Sequence, residues 1–290
     1  MLLPQVEYLD DIQATKQYQN QLKAVYQIIS DNEYQQLTVL IDLNAYRADV
    51  FNVLDCGVDL PFERIKRIHH TFNDDLAVAD IQLDNSTGQR LLEQLLALAI
   101  YENTNDIAGR PHSRSVCLWL FEQTITERLK YSLYLLGQAY GLGSNKRRYL
   151  RYWDPRVIQL LDYLWTSQQK LQVYQLGLPR MHYVDWNNTF TEITLPTPSE
   201  VYPSDTEAAL EQVRPLPFRF SQQQWQLLEQ TEWVNMILRQ LKEQIVINTQ
   251  SYKTVMNQAL LIAQRQITKQ QAVKNIVEGL EQVKDRGKQI

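Results

Sequence analysis

Glycine is scarce in this chain, with nine in 290 residues. Few positions can therefore rely on a residue free to take positive φ, and such a chain suits long helices. Cysteine is scarcer still: Cys56 and Cys117 are the two present. They lie far apart and outside any CxxC pair, so both are read as reduced thiols and no disulfide framework is expected. Cys117 falls in an apolar stretch and reads as core. No run approaches the roughly 18 uninterrupted apolar residues of a membrane span. Met1 to Asp11 contains Glu7, Asp10 and Asp11 and lacks the basic start and apolar run of a signal peptide. The expected location is the cytoplasm, with no membrane partner. One-sided charge is also missing. A net charge of -4 and a pI near 5.7 argue against a dedicated nucleic-acid binder.

What is present is an ordinary globular balance, 44% hydrophobic and 21% charged. Residues 12–30 place Tyr18, Leu22, Val25, Tyr26 and Ile29 on one helical face. Leu37 to Leu43 is a nearly continuous apolar run, as in a buried strand. A short helix is expected over Phe62 to His70, a strand over Leu76 to Leu83 and an apolar helix over Leu91 to Tyr101. A further strand over Ser115 to Phe121 precedes a helix over Thr124 to Tyr140. Met181 to Trp186 and Thr189 to Leu195 flank Asn187-Asn188, the pattern of a hairpin. Five prolines then punctuate residues 196–217, which read as a connection. Beyond it the chain reads as three amphipathic helices, the first opened by a Ser221/Gln224 capping-box pattern. The expected fold is α/β or α+β. An N-terminal lobe, residues 1–195, holds a small sheet flanked by helices. Residues 196–217 form the Pro-rich connection, and 218–290 an all-helical C-terminal lobe.

The most informative stretch is Arg147 to Trp165. Tyr149, Leu150, Tyr152 and Trp153 have strand-favouring bulk. Asp154 can accept hydrogen bonds from the free N–H groups of a helix start, and Pro155 has no N–H to lose at the first helical position. Val157, Ile158, Leu161, Leu164 and Trp165 then form one helical stripe. The result is a strand-to-helix corner flanked by Arg151 and Arg156.

The run Arg151, Tyr152, Trp153, Asp154, Pro155, Arg156, Val157 resembles the most recognisable element of the type VI secretion adaptor chaperones (Tap or Tec proteins). Their shared domain has long been catalogued as of unknown function. The strand Leu37 to Asp42 is similar to that family's early apolar strand ending in Asp. Ser113 to Gly141 is similar to the strand and helix that precede the motif. The resemblance covers roughly Leu37 to Ile193. It implies a cytosolic, non-enzymatic adaptor that binds a cognate toxic effector by its N-terminal segment and helps load it on a VgrG or PAAR-type spike. The two lobes are expected to flank a cleft for that segment.

Other chemistry reads weakly. His69, His70 and Asp74 lack metal-site spacing and suit a polar helix end, so no metal and no cofactor are expected. Gly141 to Lys146 follows a helix and leads into a strand, the reverse of a phosphate-binding loop, and Gly141 reads as a helix C-cap. Cys117 with His112 or His182 has no nucleophile signature. Basic and aromatic residues interleave from Lys146 to Arg156, a pattern that can bind single strands. Alternation along a strand sends half of those aromatics to the core, so no nucleic-acid partner is expected. Arg151 and Arg156 read as ion-pairing around Asp154. The alternative is an enzyme, a hydrolase or transferase, with a cryptic site around Arg151, Asp154 and Arg156. Trp225, Trp233, Met236 and Met256 on the C-terminal helices are candidate partner-binding residues, with simple packing as the rival explanation.

Overall fold

The structure, a computed structural model, describes residues 7–42, 65–71, 74–104, 114–121, 126–141, 147–178, 180–193, 195–196, 218–242 and 249–287. The Pro-rich connection therefore lies outside the described residues, except for Pro196. By compactness the chain forms two units. One is Met1–Gln138 with Tyr149–Phe218, and the other is Ala139–Arg148 with Arg219–Ile290. Composition alone places a boundary at the prolines. It gives no sign that residues 139–148 group with the C-terminal helices.

The first unit is built on six strands in the order β2-β3-β1-β4-β7-β8. These are β1 (Gln36–Asp42), β2 (Ile65–Thr71), β3 (Asp74–Gln82), β4 (Val116–Phe121), β7 (Met181–Val184) and β8 (Phe190–Glu192). All five neighbouring pairs run antiparallel. The fold is thus α+β. The nearly continuous apolar runs of β1 and β4 mark burial on both faces, as befits central strands of this antiparallel sheet. The helix expected over Phe62 to His70 is instead the edge strand β2. Its Ile65 to Thr71 pairs with β3, so tertiary pairing decides where local pattern is ambiguous.

One face of the sheet carries a helical layer: α1 (Glu7–Gln13), α2 (Lys16–Asn32) and α3 (Ser86–Thr104). Leu37, Val39 and Ile41 join Val25, Leu92, Leu95 and Leu96 in that core. The period of two sends Thr38, Leu40 and Asp42 to the opposite face. The β3–α3 junction is tight. A Cβ on Gly88 would lie 1.7 Å from the Gln82 carbonyl oxygen, so only glycine fits there. Two helix ends manage without glycine. Glu33 (φ 54) closes α2, with Tyr34 N–H donating to Ile29 O. Arg265 (φ 58) follows α9 (Thr249–Ala263), with Gln266 N–H donating to Leu261 O. Both have the left-handed residue and six-to-one bond of a Schellman cap.

The helix expected over Thr124 to Tyr140 is the shorter α4 (Glu127–Leu136). Thr126 caps its start and Gly137 its end; Gly141 lies in the next strand and is not a C-cap. The hairpin between β7 and β8 closes with Asn188 at φ 59, the left-handed position of a three-residue loop.

The second unit is not all helix. Three short strands, β5 (Gln138–Gly141), β6 (Arg147–Tyr149) and β9 (Phe218–Phe220), pair in the order β6-β5-β9, and most of their residues belong to this unit. Its helices are α7 (Gln222–Leu228), α8 (Thr231–Lys242), α9 and α10 (Lys269–Gly287). The Ser221/Gln224 capping box is formed. The single first helix expected there is interrupted at Glu229 and Gln230, and Thr231 Oγ1 donates to the Leu228 carbonyl at the break.

Candidate functional site

The Arg151 to Val157 run leaves the sheet sooner than its bulk suggests. β6 stops at Tyr149, and Asp154 N–H donates back to Arg151 O at 3.1 Å in a turn. Asp154 is the N-cap of α5 (Pro155–Leu164), with Pro155 in the first turn, and α6 (Ser167–Gln175) follows it. The Asp154 Oδ1 accepts from the Arg156 N–H and Nε, both at 2.9 Å, and its Oδ2 accepts from Arg156 Nη2 at 2.6 Å. Burial alone would raise the Asp154 pKa. Those Arg156 contacts outweigh it and hold the carboxyl below its usual range.

Arg151 makes its ion pair with a different strand, while its charge still helps to lower the Asp154 pKa. Its Nη2 donates to Asp42 Oδ2 at 2.5 Å, and Trp153 Nε1 donates to the same oxygen at 3.1 Å. Asp42 is the last residue of β1 and is buried. The Arg151 side chain is 43% exposed, so this pair is screened on one side. Tyr152 and Trp153 are fully buried and meet edge to face, 5.2 Å between ring centroids.

Glu102 and Arg114, neither singled out in the sequence, complete the cluster together with Ser115. Asp42 N–H donates to Ser115 O at 2.9 Å. Glu102, near the end of α3, accepts from Ser115 N–H at 2.9 Å, Val116 N–H at 3.3 Å and the Ser115 hydroxyl. This side chain ties the helix end to the start of β4. Burial pushes the Glu102 carboxyl up to about 7, against the pull of Ser115 and Arg114. Arg114 is buried beside them; burial and the neighbouring Arg156 charge bring its pKa down to about 10, and Glu102 and Asp154 oppose that shift. It stays a cation at neutral pH. Cys117 is fully buried here, and burial with Asp42, Asp154 and Glu102 nearby pushes its thiol well up, so it is not a thiolate. The available hints were a lone Glu in an apolar helix and an Arg just before an apolar strand.

The remaining candidates are dispersed. His182 stacks on Phe190 with centroids 5.0 Å apart and meets Phe121 edge-on. Its ring is buried, with Glu192 Oε2 4.0 Å from Nε2. His112 and Cys56 lie outside the described residues, as do Leu142 to Lys146. His69, His70 and Asp74 sit on β2 and β3, a strand pair rather than the helix end expected. Among the described residues no group of three His, Cys, Asp or Glu could hold a metal, and no helix is long and apolar enough to cross a membrane. Of the four helical candidates, Trp233 and Met256 are buried and Trp225 half-buried, while Met236 is 44% exposed. The Arg148 guanidinium lies 4.7 Å from the Trp225 ring centroid.

Comparison with protein-family models, with curated proteins and with solved structures finds no match for this chain.

Proposed function

We propose that this chain is a cytoplasmic adaptor chaperone of the type VI secretion kind, which binds a toxic effector and helps load it on a VgrG or PAAR-type spike. The observation that carries the reading is the meeting of two stretches on which the resemblance rests. The strand ending in Asp42 and the Arg151 to Val157 run are 109 residues apart in sequence, at Arg151, yet Arg151 and Trp153 both donate to Asp42. Residue types that resemble one family at two distant places would be expected to serve one structural purpose, and a shared buried carboxylate is such a purpose. The run then acts as scaffold and leaves partner binding to other surfaces. Met236, exposed on α8, and the half-buried Trp225 are suited to apolar anchoring, whereas Trp233 and Met256 help build the unit itself. The reading calls for no cofactor.

An enzyme centred on Arg151, Asp154 and Arg156 would need Asp154 as a free acid or base. Both its oxygens already accept from Arg156, which argues for a cap and counter-ion instead. The test is co-expression with the toxin gene beside it, followed by affinity purification. A stable complex that also retains the spike protein is expected. Recovery of the chain alone, with a soluble toxin in the same cells, would reject the adaptor reading.

A further inference from the structure

The near-balanced charge of the whole chain hides two parts of opposite sign. The second unit, residues 139–148 and 219–290, carries 13 Lys and Arg against 6 Asp and Glu, a net charge of +7. The first unit carries 16 against 27, a net of -11, and the two add to the chain's -4. Such asymmetry points to a polyanionic partner for one part of a chain even where the total charge argues against it. Two of the second unit's cations are fixed in place, on the outer strands β6 and β9 of its sheet. On β6 the Arg148 guanidinium carbon lies 4.7 Å from the Trp225 ring centroid, and on β9 that of Arg219 lies 5.7 Å from the Tyr140 centroid. Arg219 is exposed between the buried Phe218 and Phe220. A guanidinium resting on a ring is held by its face and keeps its N–H donors directed sideways in its own plane. Arg148 donates to Glu229 Oε1 at 3.2 Å, but the two side chains are 48% and 61% exposed, so another carboxylate can compete for that contact.

We propose that the second unit is a docking surface for an acidic polypeptide segment of a partner protein, engaged through Arg148 and Arg219. Carboxylates suit these donors because the edge of a guanidinium takes a carboxylate through two parallel hydrogen bonds. The net charge of +7 supplies long-range attraction, and the two ring-held arginines supply fixed contacts. Single-stranded nucleic acid is the rival polyanion. It needs open aromatic faces on which its bases can stack. Here the Trp225 and Tyr140 rings already carry guanidiniums, and Trp225 also meets Phe220 edge-on, with centroids 5.3 Å apart. The inference stands on charge and geometry and does not rest on the secretion reading.

The experiment is fluorescence anisotropy of the full chain at pH 7.5 with three labelled probes of equal length: polyglutamate, a Gly-Ser peptide and oligothymidylate. Polyglutamate should bind more tightly than the other two at about 50 mM salt and weaken about tenfold by about 300 mM. Arg148→Gln combined with Arg219→Gln should weaken it about tenfold. Lys23→Gln, which removes an exposed cation of the first unit, should leave it unchanged. Absence of polyglutamate binding, tighter binding of oligothymidylate, or an affinity that the double variant leaves unchanged would overturn the proposal. So would a low-salt dimer in sedimentation that polyglutamate does not displace, since a second copy's acidic unit would then be the occupant. If the double variant fails to fold, carbodiimide cross-linking of polyglutamate to the wild-type chain decides it. An excess of adducts on lysines of the second unit supports the surface, and an even spread or an excess on the first unit overturns it.

Discussion

Two corners of the first unit are pinned in opposite ways. At the Asp154-Pro155 corner the fasteners are ions: Arg156 on Asp154, and Arg151 on Asp42. At the tip of the β7–β8 hairpin most are neutral amides, with one carboxylate that accepts only from backbone N–H groups. Asn103 Nδ2 donates to Asn188 Oδ1 at 2.6 Å, Asn188 Nδ2 donates to Thr104 Oγ1 at 3.0 Å, and Gln17 Nε2 donates to Asn187 O at 2.8 Å. Asp185 Oδ1 closes the tip by accepting from the Asn187 and Thr189 N–H groups, both at 2.8 Å. A buried ion pair fails as a whole when one partner goes, because the other is stranded. An amide network loses its bonds one at a time, each worth roughly 1 kcal/mol. The two corners should therefore break differently.

The largest expected effect is at the ionic corner. Asp154→Ala removes the helix cap and strands Arg156, and should lower unfolding stability by about 4 kcal/mol in urea titration, with Asp154→Asn losing less because it keeps the cap. A loss under 1 kcal/mol would mean that Arg156 simply relaxes into water.

Next comes pH, which should separate the two corners by sign. Burial depresses His182, on the hairpin strand β7, to about 4 from 6.5. The unfolded chain binds that proton first, so stability is full above pH 6.5 and falls towards pH 4, by at most about 3 kcal/mol. Glu102, in the ionic cluster, behaves in reverse. Its folded pKa is raised from 4.5 to about 7, so its contribution is full below pH 4.5 and is lost as pH rises through 7, on the same scale of about 3 kcal/mol. His182→Gln should flatten the acid limb of the stability profile and Glu102→Gln the alkaline limb. A profile that either variant leaves unchanged removes that residue from the account.

Smaller effects are expected at the hairpin. Asn188→Ala loses the amide bonds and puts a Cβ without local hydrogen bonding at φ 59, at a cost of about 2 kcal/mol. Asn188→Gly keeps the backbone and loses only the bonds, about 1 kcal/mol. Equal losses for the two would show that the left-handed backbone carries no strain.

Much of this architecture was legible in the sequence because the signals are local. Asp154-Pro155 announces a helix start through one acceptor and one missing donor. Asn187-Asn188 announces a turn. Leu37 to Ile41 announces a buried strand. The ionic corner was legible only in part. Arg156 pairs with Asp154 two residues away, as its spacing predicts, but Arg151 was assigned the same partner and finds Asp42 instead. Nothing local links residue 151 to residue 42; only the tertiary fold brings them together. Glu102 and Arg114 were missed for the same reason. Edge strand β2 was read as a helix because seven residues with mixed polarity favour neither period until β3 lies beside them.

The glycine shortage has a practical outcome. At Glu33 and Arg265 two helices end on side-chain-bearing residues in a conformation that glycine adopts freely. Both positions are exposed. They are places where an engineer could add robustness without touching core or charge network, since Glu33→Gly and Arg265→Gly should each relieve up to about 1 kcal/mol of backbone strain, less what the freer unfolded chain takes back.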